Sequence, residues 1–447
     1  MPHAVTKYWK RDLTTYPTRS RRWLMLALIV VSGASLMSLN LVGGAISPLL
    51  MKDVGMSTNF YSGLLVASAV VGAITSYFSA ISDRIGRANL IVYGSLIAGL
   101  IGTFGVPTAH TKWAFAFWFI LVGFADGVAF VGGSAMVRDF SPQTGRATAM
   151  GINTLTIGLA ALGLSFGASR LLVSDTADWR VMLHLTGGAC IAVGVLTMFL
   201  LRDLPASLRA KVIVSADEGH RLDQSRRPED AASENPGNWR SVLTPKLVLS
   251  NLAIMLYLVV FITAANFLTL YTVEVHHFTV GQANELNTLY WAAACVSPIV
   301  FGLLSDRLGA RRPVMFLGAG LVVVALILLM TTEQPTYWQL TIPLLIWAVG
   351  MGGGFSPWFA AYSEDAEAVD PRLVGTAFAA FSVANKLSGV VAGLTIPFVI
   401  GSPATAAGWR YWFLTCIVMM VAFVALCAFG LKGARSLRRS PSPAVAG

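Results

Sequence analysis

Twelve long apolar stretches run through this chain of 447 residues, and each is long enough to cross a lipid bilayer as a helix. A hydrocarbon core of about 30 Å takes about 20 apolar residues in helical form. A helix is required because no water is present there to satisfy the backbone. The stretches fall at about 23–50, 59–81, 89–107, 113–137, 147–172, 179–201, 247–272, 281–304, 314–332, 338–362, 374–400 and 411–431. Only 12% of the residues are charged and 55% are hydrophobic, against roughly 25% charged in an average soluble domain. So few polar groups cannot cover a soluble globule of this size. That excludes an ordinary cytosolic enzyme, a nucleic-acid-binding domain and a disordered chain. The expected class is an all-α polytopic membrane protein. Its first stretch is too long for a signal-peptide core and is expected to be retained.

The net charge of +10 follows from topology and does not call for nucleic acid. With twelve spans both termini lie on one side. Placing them in the cytoplasm puts 26 of the 32 Lys and Arg residues on that face and 5 on the other. Such a bias is the positive-inside signal of a cell-membrane protein. The remaining basic residue, Lys386, lies within a span.

The spans divide into two sets of six. Residues 1–22 form an N-terminal tail, 23–201 the first six-helix bundle, 202–246 a polar cytoplasmic linker, 247–431 the second bundle and 432–447 a C-terminal tail. The halves echo each other. Ser82-Asp83-Arg84-Ile85-Gly86-Arg87 follows the second span, and Ser305-Asp306-Arg307-Leu308-Gly309-Ala310 follows the eighth, 223 positions on. Trp179-Arg180 opens the sixth span and Trp409-Arg410 the twelfth, 230 positions on. Parallel repeats of this kind are a transporter architecture.

On these residues the chain resembles the major facilitator superfamily, whose loop signature runs Gly-x-x-x-Asp-Arg-x-Gly-Arg. The first copy has Ser79 in place of the glycine, then Asp83, Arg84, Gly86 and Arg87. The second has Gly302, Asp306, Arg307 and Gly309, with Arg311 and Arg312 behind. The resemblance implies two pseudo-symmetric six-helix bundles, a monomeric transport unit, and a cytoplasmic gate at these loops that steadies the outward-facing state. Physically, Asp83 and Asp306 can accept hydrogen bonds from the amino end of a following helix. The arginines can bridge to carboxylates or carbonyls, and the glycines permit a tight reversal. A second polar cluster, Arg138, Asp139 and Arg146, follows span four, and an acidic counterpart with Glu364, Asp365, Glu367 and Asp370 follows span ten. Salt bridges between these two loops are one expectation; solvated loops that only fix topology are the other.

Two formal charges stand near the middle of a span, Asp126 in span four and Lys386 in span eleven. A charge at that depth is costly and normally faces a cavity or a partner. Either the two pair with each other or each serves transport separately, Asp126 carrying the proton and Lys386 receiving an anionic substrate. Where many superfamily members have Arg-x-x-x-Gly in span four, this chain has Asp126-Gly127 and no arginine. Further candidates for the substrate cavity are Asn40, Trp347, Trp358, Tyr257, Asn266 and, at the outer mouth, Glu285. The glycines near them suit close helix packing equally well.

No Cys/His pattern suggests a metal, and Gly350-Met351-Gly352-Gly353-Gly354 lacks the Lys-Ser/Thr ending of a phosphate loop. No cofactor, no nucleic-acid partner and no enzymatic activity is expected. The first functional reading is proton-coupled transport of a small organic anion, such as a carboxylate. The alternative is proton-coupled drug or cation efflux. Span five, from Gly151 to Gly163, lacks the Gly-Pro core that the family's antiporters usually carry.

Overall fold

The structure is a computed structural model and describes residues 11–77, 86–140, 146–174, 176–204, 208, 244–332, 334–369 and 374–431. Among these residues lie twelve long helices: α1 (Arg19–Val54), α2 (Thr58–Tyr77), α3 (Arg87–Leu100), α4 (Lys112–Phe140), α5 (Arg146–Leu171), α6 (Arg180–Leu200), α7 (Pro245–Glu274), α8 (Val280–Leu308), α9 (Arg311–Thr331), α10 (Tyr337–Val369), α11 (Val374–Ile400) and α12 (Ala406–Gly430). They follow the twelve apolar stretches one for one. Ten are long and apolar enough to cross a membrane. The other two, α2 and α5, contribute the shorter apolar runs Thr58–Gly72 and Thr156–Leu171. Phe104, Phe199, Phe398 and Phe429 stand exposed on the helix surfaces, the arrangement expected where lipid is the solvent.

Local chemistry sets the helix ends. Thr279 and Gln282 form a reciprocal capping box at the start of α8, and Thr244 caps α7 ahead of Pro245. Gly55 ends α1 in the left-handed region (φ 63°). After α3 the chain passes through a π-turn, Ile101–Gly105, and a 3-10 turn, Val106–Thr108, that contains Pro107.

Helices α1–α6, apart from the first six residues of α2, belong to one compact unit. Helices α7–α12 belong to a second, which also takes in Ser57–Gly63. In the first unit small residues bring backbones together. Gly94 of α3 faces Ala125 and Ala129 of α4, and Gly127 of α4 lies against Gly72 of α2. In the second unit the glycine run of α10 does the same on several sides. Gly350 and Gly353 meet Gly318 of α9, Gly352 meets Ser297 and Pro298 of α8, and Gly354 meets the ring of Tyr257 in α7. The run is therefore a packing surface, as small residues in membrane helices commonly are.

Candidate functional site

The loop between α8 and α9 carries the second copy of the repeated motif. Gly309 ends α8 in the left-handed region (φ 59°) and turns the chain back, so that Arg311 opens α9 over the end of α8. The Arg311 guanidinium pairs with the Asp306 carboxylate and donates to Ser305 Oγ at 3.1 Å. It also donates to Glu364 Oε1 near the end of α10, at 3.0 and 3.2 Å. One side chain thus ties α8, α9 and α10. Arg312 donates to the carbonyl of Leu431 beyond α12, and Arg307 is exposed.

One expectation is corrected here. Asp306 does not cap the following helix: α9 starts from Ala310 without a side-chain cap, and Asp306 meets Arg311 instead. A full positive charge within reach competes well against the partial charge of a helix amino end. Glu364 meets Arg311 of its own unit, because the Gly318 seam holds α9 close enough to α10 for the guanidinium to reach. Arg311→Gln is expected to cost about 1–3 kcal/mol, since it strips the cation from two partly exposed carboxylates. Adding Glu364→Gln to that variant should cost little more. Additive losses in thermal unfolding of the two single variants and the double variant would contradict the pairing.

In the first copy, Asp83 and Arg84 lie outside the described residues, as do the side chains of Arg138, Asp139 and Arg146. Gly86 and Arg87 are described, and the amino end of α3 is capped from elsewhere in the chain. Asp203, after α6, accepts from the backbone N–H of Arg87 (2.7 Å) and of Ala88 (3.4 Å) through Oδ2. The Asp203 backbone is held in turn by Arg11 and Leu13: its N–H donates to the Arg11 carbonyl at 3.0 Å, and Leu13 N–H donates to its carbonyl at 2.9 Å. Gly86 adopts φ 97°, and a Cβ there would stand 3.2 Å from Asp203 Oδ2. A glycine therefore serves both the backbone turn and the close approach of the carboxylate. Sequence reasoning missed Asp203, because a cap is normally sought just before its helix. The available signal was an acidic residue immediately after a span. Asp203→Ala should cost about 1–2 kcal/mol, and Asp203→Asn less, because the amide oxygen still accepts. An unfolding midpoint unmoved by Asp203→Ala would refute this role.

Within the spans, Asp126 is half-buried in α4, flanked by the residues of the α2 and α3 seams, and lies within electrostatic reach of Cys190 in α6. Lys386 is exposed on α11, beside exposed Ser382 and Asn385. The opposite stripe of that helix, Ala384, Ser388, Ala392, Ile396 and Ile400, is buried. Asn40 and Asn266 stand equally far into α1 and α7. Both are half-buried, and each Nδ2 donates to the carbonyl four residues back, Leu36 at 3.3 Å and Ile262 at 3.5 Å. Glu285 is exposed near the start of α8, next to Tyr337.

Three aromatic candidates are interior packing of the second unit. Trp358 is fully buried, donates to Ser250 Oγ at 3.1 Å and stacks on Tyr362. Trp347 is fully buried edge-on to Tyr290 and Phe413. Tyr257 is buried against Phe423 and donates to the Met351 carbonyl. Their rings are enclosed by protein, so they do not form an open stacking wall for a ligand.

A sequence model of the Major Facilitator Superfamily matches residues 28–393. The chain belongs to this superfamily. Among its relatives is a probable hexose phosphate transport protein of Chlamydia pneumoniae, 22% identical over 78% of this chain and 77% of that one. Another is a phosphoglycerate transporter protein of Salmonella typhimurium, 21% identical over 89% of this chain and 86% of that one. In fold it is similar to a bacterial homologue of the human lysosomal transporter Spinster, solved in an inward-facing, unoccupied conformation. The TM-score is 0.70 at 15% identity, covering 94% of this chain and 98% of that one. Like its superfamily, the protein is a multi-pass membrane transporter of a small molecule, and the family and these relatives are transporters rather than enzymes.

Proposed function

We propose that this superfamily member carries a small organic anion, a carboxylate or a phosphorylated compound, across the cytoplasmic membrane by alternating access, driven by protons. Lys386 is the observation that carries the reading. It is the one basic residue of 32 placed near the middle of a span, and its side chain is exposed on α11. A cation at that depth is costly unless an anionic partner or water meets it. The organic phosphates named for two relatives are consistent with such a partner. Asp126 is the proposed proton carrier, and both termini are assigned to the cytoplasmic face on the charge bias. A single chain is proposed as the transport unit.

The test is counterflow in proteoliposomes with 3-phosphoglycerate, glucose 6-phosphate, benzoate and a cationic dye. Accumulation of an anion is expected; accumulation of the dye alone would replace this reading with cation efflux. With the anion established, Asp126→Asn should flatten the dependence of flux on pH. A pH profile identical to that of the unaltered protein would remove Asp126 from the coupling step.

A further inference from the structure

Ahead of α1, residues 11–13 run beside the segment that follows α6. Asp12 and Asp203 form a parallel bridge. The Asp203 N–H donates to the Arg11 carbonyl at 3.0 Å, and the Leu13 N–H donates to the Asp203 carbonyl at 2.9 Å. Both backbone polar groups of Asp203 are therefore held by the tail. The Leu13 side chain is 8% exposed and joins an apolar cluster with Met25 of α1, Ala88 and Ile91 of α3, Phe140 of α4 and Leu204 beyond α6. The buried Arg11 guanidinium donates to the Thr197 carbonyl near the end of α6, at 3.4 Å. Three residues thus meet the ends of four helices of the first unit.

The same Asp203 caps α3. Its Oδ2 accepts from the backbone N–H groups of Arg87 and Ala88, and its Oδ1 accepts from the Leu204 N–H at 2.9 Å. A side chain that caps a helix from elsewhere in the chain satisfies those donors only while its own backbone stays in place. Here the tail keeps it in place. The seat itself is short. Asp12, Thr14 and Thr15 are exposed, and residues 11–18 lie outside any helix. Burial of the Arg11 guanidinium works against seating: it lowers the pKa of the group, and the charge of Arg202 lowers it further. Segments with few buried apolar contacts open at low cost, well before the whole fold does.

We infer that residues 11–13 are a strap that acts as a switch on the start of α3. Seated, the strap holds the Asp203 carboxylate over the N–H groups of Arg87 and Ala88. Lifted, it lets the cap and the first turn of α3 open with it. Whatever pulls on or binds the tail is then felt at Gly86 and Arg87, which belong to the loop motif repeated in both halves. The coupling is reciprocal, because two elements that stabilise each other do so by the same free energy. The inference concerns the first unit alone and does not depend on the substrate or on proton coupling.

Hydrogen–deuterium exchange of the purified full-length protein, resolved to single amides, tests it. Leu13→Asp puts a charge into the apolar cluster and should lift the strap. Exchange at the Asp203 amide is then expected to rise about tenfold or more, and exchange at Arg87 and Ala88 to rise with it. Amides in the middle of α1 and α6 should keep their rates. Thr14→Asp, the same charge on an exposed neighbour, should change none of these. In the reverse direction Asp203→Ala, which removes the capping carboxylate and keeps the backbone, should speed exchange at Leu13. An Asp203 amide that stays protected in Leu13→Asp overturns the proposal. So does an Asp203 amide that opens while Arg87 and Ala88 keep their rates, because strap and cap are then separate. Unchanged exchange at Leu13 in Asp203→Ala does the same. If Leu13→Asp does not fold, Leu13→Ala is read at the same amides, and loss of the fold there too would make Leu13 a core residue and the strap no switch.

Discussion

Lys386→Gln is expected to lower anion counterflow in proteoliposomes by roughly ten- to a hundredfold while the protein still inserts and purifies normally. Hydrogen bonds to a charged group contribute about 1.5–3 kcal/mol, and each 1.4 kcal/mol is about a factor of ten. Glutamine keeps most of the length and some polarity but removes the charge that attracts an anion. Folding should be spared, because the side chain is exposed on α11 while the buried stripe of that helix lies elsewhere. Lys386→Arg, which retains the charge, should keep part of the flux. Full flux in Lys386→Gln would remove the residue from substrate binding, and misfolding would assign it to structure.

The largest effect on stability is expected at Gly318. A Cβ on Gly318 would sit on the backbone of Gly353 and Gly354, where no side chain can rotate away. Overpacking costs typically about 1–3 kcal/mol and more where the neighbours cannot yield. Gly318→Ala should therefore lose at least about 3 kcal/mol and most of the folded protein in the membrane. It should also break the Arg311 bridge to Glu364, which depends on the close approach of α9 to α10. Gly320, two residues along the same helix, has nothing within 4 Å of its Cβ position. There the same substitution should be neutral or stabilising by up to about 1 kcal/mol, through helix propensity alone. Thermal unfolding of the two variants measures the contrast. Equal midpoints would show that the seam is looser than its geometry.

These two glycines indicate where sequence reading stops. Both lie in one apolar stretch, Arg311–Thr331, and hydropathy cannot tell them apart. Which one meets a backbone depends on α10, and the run Gly350 to Gly354 reads equally well as a cavity wall or a packing seam. Trp347 and Trp358 illustrate the same limit. As sequence they are candidates for the substrate cavity, but they face α7, α8 and α12, so the rings are enclosed. Asp203 is the converse case: an unremarkable acid after a span becomes the cap of a helix that begins 116 positions earlier.

What the sequence determined by itself is the membrane class, the number of helices and their places along the chain, and the repeated loop motif that marks the superfamily. The reason is that partition into hydrocarbon is a local property: each segment either carries enough consecutive apolar residues to satisfy its backbone as a buried helix or does not. The tertiary structure alone decided which side chains meet. It paired Arg311 with Glu364 and Asp203 with α3, and it enclosed Trp347 and Trp358 in the interior of the second unit. A side chain's partner is set by the rotation and closeness of helices far apart in sequence, and that information is spread across both surfaces of each contact.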